Sequence, residues 1–227
     1  MINKVLLIDK PKEWTSFDVV AKVRGIVRAS TGTSKGSPRI RVGHAGTLDP
    51  LATGLLIVLV GKATKQQDSY MKQDKIYEVE LHLGQTSTTA DDEGEKTFVS
   101  DVQPNMEQVQ IALKKFTGSI SQTPPAYSAI KIDGQRAYKL ARAGKEVKIK
   151  PRNVTIYSIG KIEYEYPKLK FITKVSSGTY IRSLALDVGK SLGSGAYMSQ
   201  LRRTHIGDFN VADALSIDDI TAEQIVG

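Results

Sequence analysis

The chain contains no cysteine, which excludes disulfides, thiol catalysis and cysteine-ligated zinc or iron–sulfur centres, and is compatible with a reducing compartment. It has three histidines, His44, His82 and His205, none at the i, i+4 spacing of a helical metal site, so no metal is expected. Long apolar runs are also missing: Leu55 to Val60 is six residues, against the roughly 20 needed to span a bilayer. The N-terminal stretch meets charges at Lys4 and Asp9, too early for a signal-peptide core. The expectation is a soluble, cytoplasmic protein with no membrane contact. Acids are the scarcer charge, 24 Asp+Glu against 32 Lys+Arg for a formal net charge of +8, which points first to a polyanionic partner.

What is present is globular: 227 residues, 40% hydrophobic and 25% charged. That length buries about 70% of the surface its unfolded form exposes and needs no covalent or metal staple. No repeat or linker divides it, so a single domain over residues 1–227 is expected. The charge is clustered. Lys131, Arg136, Lys139, Arg142, Lys145, Lys148, Lys150 and Arg152 outnumber Asp133 and Glu146 for +6 in 22 residues, and Arg28, Lys35, Arg39 and Arg41 add a second cluster of +4. From Asp208 onward there are five acids and no Lys or Arg. Clustered cations with Gly134, Tyr138 and Gly144 between them suit a phosphate backbone; a solvated helix face is the alternative reading.

Val5 to Ile8 reads as a strand, followed by a helix capped at Thr15 or Ser16 that carries Val19, Val20, Val23 and Val27 on one side. Ser30 to Pro38 reads as loop. Leu55 to Val60 fits a strand buried on both faces, with a helical start at Ala52 as the alternative. In Ile76 to Leu83 the residues Tyr77, Val79, Leu81 and Leu83 fall on one face of a half-buried strand. Thr86 to Asp101 reads as loop, and a helix follows, opened by Pro104 and ended by Gly118. Thr155 to Ile159, Lys161 to Tyr166 and Leu169 to Val175 read as strands, the last two a hairpin turning at Pro167-Lys168. Tyr180 to Leu192 is an amphipathic helix stopped by Gly193. Strands in runs with few helices between them imply an α+β fold, a mixed and largely antiparallel sheet flanked by helices and loops.

The densest stretch is GHAGTLDPLATG, Gly43 to Gly54. Glycines and Pro50 surround one carboxylate, and because Asp49 precedes a proline its backbone is biased to the extended region. This presents the carboxylate at a turn, either for chemistry or as an Asx-turn that stabilises the loop. A phosphate-binding P-loop is excluded, since the gap from Gly54 to Gly61 is wrong and Ala63 follows Lys62 where Ser or Thr is required.

GHAGTLDPLATGLL with GKATK (Gly61 to Lys65) resembles the catalytic motif of the TruB family of tRNA pseudouridine synthases. The resemblance continues in order through IDKPKEWTSFDVV (Ile8 to Val20), KIYEVELHLGQ (Lys75 to Gln85), QTPPAYSAIKIDGQRAYKLARAG (Gln122 to Gly144), SGTYIRSLALDVGKSLGSGA (Ser177 to Ala196) and LRRTHIGDF (Leu201 to Phe209). About residues 5 to 215 are covered. The resemblance implies a sheet of the pseudouridine synthase type, with Asp49 as the catalytic aspartate, Tyr77 as the tyrosine that stacks on the target base and takes part in proton transfer, and Arg182 as the arginine that pairs with that aspartate. It places His44, Tyr180 and Leu201 in contact with a flipped nucleotide, and makes Lys131, Arg136, Lys139 and Arg142 the clamp on the backbone of the tRNA T arm. Without it, Tyr77 reads as a core aromatic, Arg182 as a surface helix charge and His44 as a loop hydrogen-bonder.

The implied reaction suits these residue types. The N-glycosidic bond of a uridine breaks, the base turns and a C–C bond forms at the same sugar carbon, with no oxidation and no incoming group, so no cofactor is expected. A carboxylate can attack the sugar or the base, or remove a sugar proton, and an arginine beside it holds it ionised. The uridine must first leave its stack, at a cost of a few kcal/mol.

Two features depart from the family pattern. QTSTTADDEG, Gln85 to Gly94, has Thr88 where the family's TDTxDxxG has an acid, although Asp91 and Gly94 keep their places. The chain also ends at Gly227, where the family usually continues into an RNA-binding PUA domain; a monomeric short form with weaker or more salt-sensitive RNA binding is expected. Two other readings remain, a guide-RNA-dependent synthase of the dyskerin type and a non-catalytic RNA-binding protein that kept the fold. PLATG favours the stand-alone enzyme over the first, and the intact Asp49, Tyr77 and Arg182 argue against the second.

Overall fold

A computed structural model describes residues 2–32, 40–128, 130–132, 134–145, 147 and 149–226, with the side chains of Lys131, Arg142 and Val226 outside the description. The chain begins with β1 (Asn3–Lys10), α1 (Ser16–Thr31), β2 (Val42–Ala45), β3 (Thr53–Gly61), a 3-10 turn at Lys62–Gln66, α2 (Gln67–Met71) and β4 (Lys75–Leu83). There follow β5 (Gln85–Ser87), β6 (Lys96–Phe98), α3 (Met106–Lys114), β7 (Gly118–Gln122), β8 (Lys131–Ile132), β9 (Gln135–Arg136) and α4 (Ala137–Arg142). Then come β10 (Arg152–Glu165), β11 (Lys168–Val175), α5 (Ile181–Leu192), β12 (Ala196–Ile206), β13 (Phe209–Asn210), β14 (Leu215–Ser216) and α6 (Ala222–Val226). Pairing is antiparallel for β1 with β3, β2 with β3, β7 with β10 and β10 with β11, and parallel for β1 with β14 and β3 with β12. The architecture is the mixed, largely antiparallel α+β arrangement expected. Among the described residues no helix is long and apolar enough to cross a membrane.

Two compact units are distinguished, Met1–Tyr77 with Arg202–Gly227, and Glu78–Leu201. In the first, the apolar run of β3 is divided by the two-residue period of a strand. Leu56, Val58 and Val60 pack with Val19, Val20, Val23 and Val27 of α1 and with Leu6 and Ile8 of β1. Leu55, Ile57 and Leu59 pack on the other face with Ala45, Ala63 and Ile206. Each such side chain contributes about 1.5–3 kcal/mol when fully buried, which explains a strand with no polar residue from Leu55 to Val60. Helix α1 starts at the Thr15 cap, where Asp18 N donates to Thr15 Oγ1 (3.0 Å) and Thr15 N to Asp18 Oδ2 (2.8 Å). It runs on through Thr31 to a left-handed Gly32 (φ 58°), so the loop expected from Ser30 begins later; residues 33–39, with Lys35 and Arg39, lie outside the described residues.

In the second unit α3 packs against α5 and β10. Its cap is Asn105, one residue beyond Pro104, with Gln108 N donating to Asn105 Oδ1 (2.9 Å) and Asn105 N to Gln108 Oε1 (2.8 Å). The helix ends at Lys114, and Gly118 (φ 105°) opens β7 instead of closing the helix. Asn105→Ala is expected to cost about 1 kcal/mol, read as a lower urea midpoint at unchanged slope. The two strands expected at 155–159 and 161–166 are one, β10, in which Lys161 at φ 48° and a register shift between Gly160 and Glu163 form the irregularity that resembles a break in the sequence. The segment 86–101, expected to be loop, contains the β5–β6 hairpin.

Candidate active site

Asp49 lies in the connection between β2 and β3, half-buried, between the buried Leu48 and the buried Leu51 and Ala52. Asp49 O accepts from Ala52 N (3.1 Å), closing a turn over Pro50 and Leu51. Leu48 is held at both main-chain groups by one hydroxyl: its N donates to Ser16 Oγ (2.8 Å) and Ser16 Oγ donates to its O (2.9 Å). On the other side of Asp49, Pro50 O accepts from Glu13 N (2.8 Å) and from Lys10 Nζ (3.4 Å). Lys10 is fully buried and also donates to Pro11 O and Trp14 O. The carboxylate is therefore carried on a main chain pinned immediately before and after it.

His44 sits in β2 opposite Val58, half-buried, and its main-chain O accepts from Gln67 Nε2 (2.8 Å). Its Nδ1 is buried without a hydrogen-bond partner. Burial, and then the positive charge of Arg203, push the imidazole below its ordinary value of 6.5. Between the two values the unfolded chain binds the proton and the folded one does not, so the stability this group contributes is complete above about pH 6.5 and is lost as pH falls through the folded value. His44→Gln is expected to melt with a smaller drop on acidification below about pH 6.5 than the parent; identical pH dependence in the two proteins rules this out. Tyr77 is buried on the face of β4 that also carries Lys75, Val79, Leu81 and Leu83. The Lys75 ammonium donates to Met71 O (2.6 Å) and Gln73 O, and burial, with Arg203 second, brings its pKa down to about 8.

Arg182 belongs to the second unit, in the first turn of α5, and is 6% exposed, not the surface helix charge its sequence context allows. Its Nη2 donates to Tyr127 O (2.8 Å), its Nη1 donates to Thr89 O (3.3 Å), and Asp91 Oδ2 lies 3.4 Å from Nη1. Asp91 is itself 2% exposed and accepts from Glu93 N (3.1 Å) and Thr89 Oγ1. Thr88 holds the same turn together, its N donating to Glu95 O and its Oγ1 accepting from Glu95 N. The residue in the acid's place is thus structural, and Asp91 is a buried partner of Arg182 that the acidic look of 86–101 conceals. Tyr180 precedes α5, its N and O both bonded to the Gln122 side chain (2.8 and 3.0 Å) and its ring beneath the Arg152 guanidinium at 5.1 Å. Leu201 is half-buried in β12. Arg136 and Lys139 are exposed, at the end of β9 and on α4; the side chains of Lys131 and Arg142 and all of Lys148 lie outside the described residues. The structure thus places His44, Asp49 and Tyr77 in one unit and Tyr180, Arg182, Leu201, Arg136 and Lys139 in the other. Among the described residues no group of three His, Asp or Glu is arranged to hold a metal ion.

Solved structures share this fold. The chain is similar to one in a Cbf5–Nop10–Gar1 complex (TM-score 0.70, 29% identity, covering 96% of this chain and 53% of that one). It is also similar to one in an H/ACA RNP bound to a substrate RNA containing 2'-deoxyuridine (TM-score 0.66, 28% identity, 96% and 52%). It spans about half the length of both. The fold is that of the pseudouridine synthases. Residues 34–181 match the TruB family pseudouridylate synthase N-terminal domain and residues 182–226 the tRNA pseudouridylate synthase B C-terminal domain, and the chain belongs to the TruB family. It is 44% identical over 218 residues to tRNA pseudouridine synthase B of Phocaeicola vulgatus, covering 95% of this chain and 91% of that protein. To the protein of the same name from Parabacteroides distasonis it is 43% identical over 228 residues (99% and 95%), and to that from Pseudomonas fluorescens 41% over 226 residues (100% and 71%).

Proposed function

We propose that this protein isomerises uridine 55 in the T arm of tRNA to pseudouridine, without a cofactor, acting as a monomer in the cytoplasm and as one catalytic domain. The observation that carries the reading is Asp49 on its pinned turn, in a chain of the TruB family. On this reading the uridine is flipped out of the T loop and its ring stacks on Tyr77, with His44, Tyr180 and Leu201 around the flipped nucleotide. Asp49 attacks the sugar or base, or takes the sugar proton, with Arg182 as its cationic partner, so that the N-glycosidic bond breaks and the C–C bond forms at one carbon. Arg136 and Lys139, together with Lys131 and Arg142, hold the phosphate backbone.

The test is to incubate the purified protein with an unmodified T-arm stem-loop and map pseudouridine by position. Product at uridine 55 without any added guide RNA is the expected result. Product at another uridine refutes the site, a requirement for an added guide RNA refutes the stand-alone reading, and binding without product refutes catalysis.

A further inference from the structure

We infer that Arg203 is a positioning residue for the reaction: its buried guanidinium bridges the two ends of the loop that presents Asp49. The inference rests on the reading of Asp49 given above. Arg203 is 1% exposed in β12. Its Nε donates to Leu55 O (2.8 Å), its Nη2 to Gly46 O (3.0 Å) and its Nη1 to Thr47 O (3.4 Å). Two of these carbonyls lie just before Asp49 and one lies after the turn, at the start of the apolar run of β3. The guanidinium is a rigid planar fork, so it fixes three acceptors relative to one another as a single ammonium cannot.

The backbone is shaped to admit it. Gly46 holds a φ of 98°, which turns the chain beside Arg203. Gly54, at φ 101°, pairs with Arg203 across β3 and β12, and a Cβ there would overlap the Arg203 main-chain oxygen. Among the described residues no carboxylate pairs with Arg203; its acceptors are main-chain carbonyls. A buried cation without an anion is a costly way to fill space where an apolar side chain would serve, so the three main-chain carbonyls are the reason for its presence. Its charge is felt nearby, lowering both His44 and Lys75. The preceding residue points to the other face of the strand and anchors the same connection: Arg202 is bidentate to Asp9 (3.0 and 2.7 Å) and reaches Thr53 Oγ1 at 3.4 Å.

The test compares wild type with Arg203→Lys, which keeps the charge and loses the fork. Readouts are melting temperature, amide hydrogen exchange, affinity for the unmodified T-arm stem-loop, and the single-turnover rate of pseudouridine formation well below the melting temperature. The variant is expected to exchange faster at the amides of Leu48 and Ala52 and to react about 10- to 100-fold more slowly, with RNA affinity within about two-fold of wild type. A purely structural role lowers the melting temperature and leaves the rate of the folded variant unchanged, and that result overturns the inference. So does a rate loss matched by an equal loss of affinity. If Arg203→Lys does not fold, wild type decides: its Leu48 and Ala52 amides are expected to exchange as slowly as those of β3, and fast exchange there overturns the inference. Failure of wild type to modify the T arm refutes the substrate reading alone, and the exchange data then decide the role of Arg203.

Discussion

Asp49→Asn is expected to abolish pseudouridine formation, lowering the single-turnover rate by about 10^4-fold or more, with RNA affinity close to wild type. The carboxamide has the shape of the carboxylate but neither its nucleophilicity nor its basicity, so attack on sugar or base and removal of a sugar proton all fail together. The turn itself is held at main-chain groups that the substitution leaves in place: Leu48 N and O on Ser16, Pro50 O on Glu13 N, and Asp49 O on Ala52 N. Activity within ten-fold of wild type in the variant would assign the chemistry elsewhere. Loss of RNA affinity in parallel with rate would make Asp49 a binding residue instead.

Asp91→Asn is expected to lower stability by about 3 kcal/mol, because it removes a buried negative charge 3.4 Å from the Arg182 guanidinium. For a chain of this length that corresponds to a fall in melting temperature of about 6–12 °C. The side chains of the pair are 7% and 3% exposed, where water screens little. The adjacent Lys96–Asp92 pair is the control: its side chains are 28% and 45% exposed, and Asp92→Asn should change stability by about 0.5 kcal/mol or less. Activity should fall in Asp91→Asn even where it remains folded, since Arg182 loses one of the groups that orient it. A melting temperature unchanged by Asp91→Asn would show that the guanidinium reaches water or another anion.

Elements whose determinants lie within a few residues of one another were legible in the sequence. The Thr15 cap before four valines at helical spacing, the unbroken apolar run of β3, the alternation of β4 and the Gly193 stop (φ 68°) after α5 all rest on local pattern. Strand β12 was not legible, because AYMSQLRRTHI places a serine, a glutamine and two arginines where a core strand has apolar residues. Those polar residues are accommodated by partners far along the chain. Ser199 Oγ donates to Glu80, Arg202 meets Asp9, and Arg203 reaches Gly46, 157 residues away. The β5–β6 hairpin was hidden for a similar reason. Its polar turn has the composition of solvated loop, yet Asp91 within it is buried because Arg182 comes back to meet it.

For the site, the amino-acid sequence by itself determined the family and the kind of turn on which Asp49 is carried. A proline after Asp49 and glycines on either side act through covalent geometry and backbone sterics, which need no knowledge of the rest of the molecule. Only the tertiary structure decided what holds that turn and what Arg182 is held by. The capture of main-chain carbonyls by Lys10, Ser16 and Arg203, and the pairing of Arg182 with Asp91, depend on side chains brought within about 3 Å from distant parts of the chain and out of water. No pattern of neighbouring residues specifies such pairings, because they form only once the sheet has brought its strands together.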